Sequence, residues 1–78
     1  MLKPVDRDRQ YAIQAAIVRI MKARATLKNQ ALIQEVMSQL SQRFTPTVQE
    51  IKKAIEAVLQ KEYIERAKGQ RDTFNYLA

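Results

Sequence analysis

Lys22 carries an amine that could take part in covalent chemistry if its side chain is accessible. Ile13, Ile17 and Ile20 recur at helical spacing, and at about 100° per residue Lys22 lies nearly opposite that stripe. A lysine that faces water from a helix carries its amine on a long, flexible stem, so the amine is accessible to a reaction partner. A cation near a helix C-terminus is also stabilised by the helix dipole, and position alone favours that structural role.

The remaining polar side chains are poorly suited to catalysis. The chain has no cysteine and no histidine, which removes the thiolate nucleophile, the thiolate zinc site and the commonest general base. Glu62 and Glu65 are a candidate acid–base pair, but they fit ordinary surface charges far better. Ser38 and Ser41 have no base to activate them, and Gly69 is alone, so no glycine-rich phosphate loop exists. The sequence therefore predicts a protein that is not an enzyme and that has no metal or cofactor site.

The chain has the size of one small domain. With 78 residues, 46% of them hydrophobic and regularly spaced, it can bury one modest core, and disorder is not expected. No apolar run approaches the ~20 residues that a membrane helix requires, so we expect no membrane contact. The absence of cysteine permits a reducing, intracellular setting.

The charge balance points to an acidic partner without naming its class. Fourteen Lys and Arg residues against eight Asp and Glu residues give a net charge of +6, which suits nucleic acid or an acidic protein surface. The longest purely basic cluster is only Lys52-Lys53. Such dispersed charge argues mildly against an arm that follows a phosphate backbone.

The N-terminal segment predicts a short lead-in and a first helix. Residues 1–5 form the lead-in, in which Pro4 delays the helix. Asp6 or Asp8 is expected to cap the helix, because a short carboxylate accepts hydrogen bonds from the free amides of the first turn. We expect this helix over about residues 7–25.

Two further helices are expected. Asn29 is the candidate cap of the second, whose buried stripe comprises Leu32, Ile33, Val36, Met37, Leu40 and Phe44. Thr47 and Glu50 have the spacing of a capping box, in which each side chain bonds the backbone amide of the other residue. The third helix that follows is expected to point Val48, Ile51, Ile55, Val58 and Leu59 inward. We expect one core that contains Ile17, Ile20, Leu40, Ile51, Ile55 and Leu59.

After Lys61 the apolar period changes from 3.6 to 2. Residues 63–66 and 73–77 are predicted strands, joined by a turn around Gly69, and the resulting hairpin must pack on the helices. The aromatic side chains of this region fit a lid over the core better than a base-stacking surface; they are Tyr63, Phe74 and Tyr76. Three helices followed by a hairpin predict a mainly α fold, the winged helix.

The winged helix is a common DNA-binding fold in which the third helix enters the major groove. The outward face of that helix is expected to comprise Gln49, Lys52, Lys53, Glu56 and Gln60. Glu50 and Glu56 would meet phosphates unfavourably, and Lys52 lies four residues before Glu56, where the two can pair. From the residues alone, DNA binding and protein interaction stay open, with protein interaction slightly favoured.

Several segments in the same order resemble the C-terminal winged-helix domain of cullins. Residues 15–22 (AAIVRIMK) resemble the first helix of that domain. The similar segments that follow are Arg43-Phe44 with Pro46, residues 51–53 with Ile55-Glu56, residues 62–66, and the terminal residues 76–78. The resemblance covers residues 6–78 and leaves 1–5 as a linker. One departure is Ala25, which follows Arg24 where many members carry a further basic residue.

The resemblance implies a scaffold domain of a multisubunit RING ubiquitin ligase. By motif position, Lys22 would accept a ubiquitin-like modifier through an isopeptide bond (neddylation), and this modification would activate ubiquitin transfer. The implied partners are the modifier, its conjugating enzyme, a RING subunit, a co-ligase and the rest of the scaffold. Arg19 and Arg24 are expected to meet acidic partner faces, and the cytoplasm and nucleus are the expected location. No specific nucleic-acid partner is expected, and a winged-helix DNA-binding domain is the alternative.

Overall fold

A computed structural model describes residues 4–77, and it describes side chains for residues 8–77. Three helices pack around aliphatic side chains, and a small antiparallel sheet covers one side of them. In chain order the elements are α1 (Pro4–Arg24), β1 (Thr26–Lys28), α2 (Asn29–Leu40), α3 (Val48–Gln60), β2 (Ile64–Ala67) and β3 (Gln70–Tyr76). This is the predicted winged-helix order with one additional strand.

Helix α1 begins earlier than the sequence predicted. Residues 1–3 of the expected lead-in lie outside the described residues, but Pro4 is the first residue of α1. Proline suits the first helical position, because its missing amide has no intrahelical partner there and its φ is already helical. Asp6 and Asp8 lie inside the helix, so the prediction that either one caps it is wrong.

Helix α1 ends in a left-handed turn that starts an unpredicted strand. Ala25 has φ of 69°, and its amide donates to the Met21 carbonyl at 2.7 Å. The chain then enters β1, which pairs antiparallel with β3 through Thr26↔Asn75, Leu27↔Phe74 and Lys28↔Thr73. The predicted hairpin is therefore part of a three-stranded sheet of order β1-β3-β2. The sequence did not predict β1, because three residues are too few to show the alternating pattern of a strand.

The hairpin itself is confirmed with shifted bounds. Gly69 has φ of 76°, the left-handed conformation that glycine adopts without a Cβ clash, and it lies in the turn between β2 and β3. Tyr63 precedes β2 instead of opening it, and β3 already begins at Gln70. The register between the two strands shifts at Arg66/Ala67.

Helix α2 has the predicted buried face but not the predicted cap. Lys28 holds the cap position without a side-chain hydrogen bond, and Asn29 is already the first helical residue, so that cap prediction is wrong. The predicted stripe is confirmed, with Leu32, Val36 and Leu40 buried and Ile33, Met37 and Phe44 partly buried against them. Phe44 reaches the core from the loop after α2, since the helix ends at Leu40.

The capping box at the start of α3 is confirmed. The Glu50 amide donates to Thr47 Oγ1 at 3.0 Å, and the Thr47 amide donates to Glu50 Oε1 at 2.9 Å. The predicted inward face needs two corrections. Val48 is 44% exposed, because the first helical residue lies beyond the edge of the core, and Leu59 is only partly buried. Ala54 is fully buried in the same face.

Five of the six residues expected in one core are buried together; they are Ile17, Ile20, Leu40, Ile51 and Ile55. The first-helix stripe is also confirmed, since Ile13 and Ile17 are 0% exposed and Ile20 is 2% exposed. Phe74 of β3 closes the core from the sheet side at 2% exposure. One contiguous core therefore holds both the helices and the sheet.

A bidentate ion pair joins α1 to the start of α3. Arg9 donates from Nε to Glu50 Oε2 at 3.1 Å and from Nη2 to Oε1 at 2.9 Å. Gln10 Nε2 donates to the Glu50 carbonyl at 3.1 Å, and the Arg9 guanidinium lies 4.5 Å from the centre of the Phe44 ring. The Arg9 hydrogen bonds and then the Thr47 amide lower the pKa of Glu50 to about 2. We call this set (Arg9, Gln10, Phe44, Thr47, Glu50) the Glu50 clamp.

We expect Ile55→Ala to lower the free energy of unfolding by about 2–5 kcal/mol, because it removes a buried side chain and leaves a cavity. Ile55 is 3% exposed. Denaturant unfolding measures the change, and Val48→Ala is the matched control on the same helix, with an expected change within about 0.5 kcal/mol. Equal losses in the two variants would show that the buried face of α3 is assigned wrongly.

We expect the stabilisation from Glu50 to depend on pH. Its pKa is lower in the folded protein than the ordinary value of 4.5. The stabilisation is therefore complete above that ordinary pKa and is lost as pH falls toward about 2. Glu50→Gln should cost about 1–3 kcal/mol at pH 7, since the pair is only partly buried, and this cost should shrink between pH 4.5 and 2.

Denaturant unfolding of wild type and Glu50→Gln across that pH range measures the difference. Glu65→Gln is the control, because the side chain of Glu65 is exposed and has no hydrogen bond or ion pair among the described residues. A cost of Glu50→Gln that is the same at pH 2.5 and pH 7 would contradict the role of the clamp.

Candidate functional site

Lys22 lies in the last turn of α1 and faces solvent. The two residues before it, Ile20 and Met21, are buried at 2% and 0% exposure. The backbone that carries Lys22 is therefore anchored in the core, while its side chain is exposed on the far side of the helix, as predicted. Within the part of the chain that the structure describes, the Lys22 amine has no hydrogen bond or ion pair.

A groove of about 500 Å³ runs along the outer face of α1 to Lys22. We call it the Lys22 groove. Its α1 wall comprises Tyr11, Gln14, Ala15, Val18, Arg19 and Lys22, and its opposite wall comprises Val58, Lys61 and Tyr63. The aromatic rings at its sides are accessible, with Tyr11 75% and Tyr63 48% exposed. The groove therefore combines an apolar floor with accessible aromatic edges.

The charge around this groove is positive. Arg19, Lys22 and Lys61 line it, and no acidic side chain of the described residues does. Lys61 Nζ donates to Gln14 Oε1 at 2.9 Å, and Arg19 donates from Nε and Nη2 to Gln39 Oε1 at 3.4 and 3.3 Å. Exposed cations at the edge of a groove increase the rate of association with an acidic partner more than they increase the binding affinity.

The two predicted partner-binding arginines have different surroundings. Arg19 lines the Lys22 groove beside the lysine. Arg24 forms an ion pair with Glu35 of α2 and does not line the groove. The geometry therefore brings Arg19 together with Lys22 and leaves Arg24 on another side of α1.

The outward face of α3 is as predicted, but its charge pairing is not. All five residues of that face are exposed; they are Gln49, Lys52, Lys53, Glu56 and Gln60. Glu56 accepts from Arg66 Nη2 at 3.1 Å, so the expected pair with Lys52 does not form. Arg66 also lies 5.3 Å from the centre of the Phe74 ring and donates to the Arg71 carbonyl at 3.0 Å.

The aromatic residues of the sheet divide between two roles. Phe74 is buried, and Tyr76 packs partly buried against the core, so both act as the predicted lid. Tyr63 instead contributes to the opposite wall of the Lys22 groove. It points there from the left-handed turn at Glu62, which has φ of 62° and directly follows the end of α3. The sequence did not predict this wall, because it forms only when α3 packs beside α1.

The candidate catalytic residues lie at the surface of the domain. Glu62 and Glu65 line an open cleft of about 700 Å³ that also contains Glu56 and Arg66. The Ser41 hydroxyl donates to the Ser38 carbonyl at 3.0 Å. Among the residues that the structure describes, no cluster of carboxylates is arranged to hold a metal ion. The described helices also include none that is long and apolar enough to cross a membrane.

Similar sequences come from one family. Residues 8–70 match the family model described as "Cullin protein neddylation domain". Cullin-3 of Dictyostelium discoideum is 50% identical over 74 residues, which cover 95% of this chain and 10% of that protein. Cullin-1 of Schizosaccharomyces pombe is 49% identical over 76 residues, which cover 97% of this chain and 10% of that protein. The chain thus spans about a tenth of the length of the curated relatives it matches.

A solved structure has the same fold. It is described as "A Dual E3 Mechanism for Rub1 Ligation to Cdc53: Dcn1(P)-Cdc53(WHB)". It superimposes with a TM-score of 0.90 at 38% identity, over 95% of this chain and 85% of the other chain. This chain therefore belongs to the cullin family and folds as the winged-helix neddylation domain of that family.

Proposed function

We propose that Lys22 is the residue to which a Nedd8-type modifier is attached, and that the chain thereby regulates the RING ubiquitin ligase of which its cullin scaffold is a part. The observation that carries the proposal is the position of Lys22 within a matched neddylation domain, with an exposed amine that has no bonding partner among the described residues. The chemistry that a lysine acceptor needs is modest, because the conjugating enzyme supplies an activated thioester.

The surroundings of Lys22 support this role. A nucleophile reacts faster when its backbone is fixed and only its last bonds must be oriented. Ile20 and Met21 anchor the helix immediately before Lys22, and no neighbouring acid competes for its amine in the Lys22 groove. An amine bound in an ion pair would first have to leave that pair.

The charge of the groove supports an acidic docking partner. The structural relative is described with Dcn1 and with Rub1 ligation. We extend that to this chain as a co-ligase that contacts the domain while the conjugating enzyme transfers the modifier. Arg19 is the cation best placed to steer such a partner, because it lines the groove beside Lys22. A RING subunit and the rest of the scaffold complete the proposed assembly, in the cytoplasm and nucleus.

Conjugation would regulate the ligase by shifting a conformational equilibrium. The modified domain must favour a released state over a state docked on the scaffold, because a modification with equal affinity for both states changes neither population. Release of this domain would free the RING for ubiquitin transfer. The domain itself performs no catalytic step in this proposal.

Lys22→Arg should reduce conjugation to a small fraction of the wild-type rate while it leaves the fold intact. Arginine keeps the positive charge, so the loss would reflect the missing amine. An exposed substitution of this kind changes the free energy of unfolding by no more than about 0.5 kcal/mol. Intact mass and peptide mapping measure the product after incubation with activating enzyme, conjugating enzyme, RING partner, co-ligase and Nedd8. Lys52→Arg, on the exposed face of α3, is the matched control and should conjugate normally.

Undiminished conjugation of the Lys22→Arg protein, mapped to Lys28 or Lys52, would refute the assignment. Loss of conjugation in both Lys22→Arg and the Lys52→Arg control would also refute it, since the loss would then not be specific to this amine.

DNA binding is the second candidate, and the exposed Gln49, Lys52 and Lys53 on the third helix of a winged helix favour it. Glu56 opposes it on the same face. We expect weak duplex binding at low salt that fades steeply as salt rises, and no enriched sequence after selection from random duplexes at physiological salt. Recovery of a defined motif that is lost on changing Lys52 and Lys53 to alanine would establish this candidate instead.

A further inference from the structure

A second lysine amine lines the same groove as Lys22. Lys61 is the residue that ends α3, and its amide donates to the Ala57 carbonyl at 3.0 Å, which fixes its backbone. Its side chain is exposed and forms part of the wall that faces α1. The groove therefore has an amine on each side, Lys22 on α1 and Lys61 on the end of α3.

The two amines differ in one respect. Lys61 Nζ donates to Gln14 Oε1 at 2.9 Å, across the groove between α3 and α1. Lys22 has no such partner among the described residues. Gln14 is partly buried on α1, so its amide is held in place while Lys61 bonds to it. The Lys22 amine is thus available for reaction, whereas the Lys61 amine is held by Gln14.

The remaining described lysines lie elsewhere. Lys28 belongs to the edge strand β1, Lys52 and Lys53 belong to the outward face of α3, and Lys68 lies in the hairpin turn. None of them lines the Lys22 groove. An acyl-transfer site that docks over this groove therefore meets Lys22 and Lys61 before any of these four amines.

We propose that Lys61 is a second, latent acceptor for the same modifier, and that Gln14 is the residue that restricts conjugation to Lys22. This inference rests on the proposed function of Lys22. Gln14 acts by holding the competing amine and does not touch the reacting carbonyl, so it is a positioning residue.

The reaction at Lys61 is an acyl transfer to nitrogen. The ammonium leaves Gln14 and gives one proton to water, and the neutral amine then attacks the carbonyl carbon of the modifier's C-terminal glycine, which is held as a thioester on the conjugating enzyme. A C–N bond forms, the C–S bond breaks, and the second amine proton leaves with the released thiol. The product is an isopeptide on Lys61 and a free cysteine on the conjugating enzyme.

The restriction is partial, because a single hydrogen bond between an exposed lysine and a partly buried glutamine has a modest net free energy. Loss of the bond should raise the rate at Lys61 by roughly two- to tenfold, the range expected for one hydrogen bond of ordinary strength. In the wild-type protein, Lys22 reacts in preference to Lys61 because its amine does not first have to break a hydrogen bond.

The test uses Nedd8 conjugation of the full chain, followed by peptide mapping, in four variants that all carry Lys22→Arg. With Lys22→Arg alone, the slow residual conjugate should map to Lys61, and adding Lys61→Arg should remove it. Adding Gln14→Ala to Lys22→Arg should raise the Lys61 conjugate by roughly two- to tenfold. Adding Gln14→Glu is the matched control, because a carboxylate retains the lysine and should leave the yield at or below that of Lys22→Arg alone.

Three outcomes would each overturn the inference. The first is residual conjugate on Lys28 or Lys52, and the second is no conjugate on either Lys22→Arg or Lys22→Arg/Gln14→Ala. The third is an equal Lys61 yield with Gln14→Ala and with Gln14→Glu. Circular dichroism of each variant separates these outcomes from misfolding, and Gln14→Glu remains a valid comparison if Gln14→Ala fails to fold. Failure of the proposed function is a separate result, since it appears in the wild-type protein as a modifier mapped to a residue other than Lys22.

Discussion

The carboxylate of Glu50 is the contact on which the rest of this domain depends. One oxygen accepts the Thr47 amide and so starts α3, while both oxygens accept the Arg9 guanidinium from α1. The Glu50 side chain thus caps α3 and also holds α3 against α1. The Arg9 guanidinium at the same time covers the ring of Phe44, in the loop that connects α2 to α3. The Lys22 groove has α1 as one wall and the end of α3 within the other, so the clamp is one of the contacts that hold together the two helices that form it.

The two walls of the groove also end in the same way. Ala25 after α1 and Glu62 after α3 both have positive φ, which side chains with a Cβ rarely adopt. Each residue turns the chain directly into the sheet, since Tyr76 donates to the Ala25 carbonyl at 2.8 Å and Leu77 donates to the Tyr63 carbonyl at 3.0 Å. Strand β3 and the residue after it therefore bind the backbone that follows each helix, and the last turn of α1, which carries Lys22, is supported by the sheet as well as by the core.

Charge is distributed unevenly over this surface. The groove beside Lys22 is lined by cations, whereas the cleft on the other side of α3 contains Glu56, Glu62 and Glu65 around a single arginine. The net charge of +6 therefore does not describe one uniformly basic protein. An acidic partner is attracted to the groove, and the Arg66–Glu56 pair reduces the phosphate-binding potential of the α3 face, which in other winged helices contacts DNA.

Patterns among residues that are close in the sequence determined much of the secondary structure and the buried face of α1. The stripe of Ile13, Ile17 and Ile20, the capping box at Thr47 and the turn at Gly69 depend on residues close together in the chain, so they were predictable. The assignment of Lys22 as the acceptor rests on the family resemblance and stays a prediction. Tertiary structure alone decided the strand β1, the exposure of Val48 and the pairing of Glu56 with Arg66. The Lys22 groove and its Lys61–Gln14 contact belong to this second group. Each of these features either joins residues that are distant in sequence or is one of several local conformations of similar energy. Only the packing of α3 and the sheet against α1 decides which conformations and contacts form.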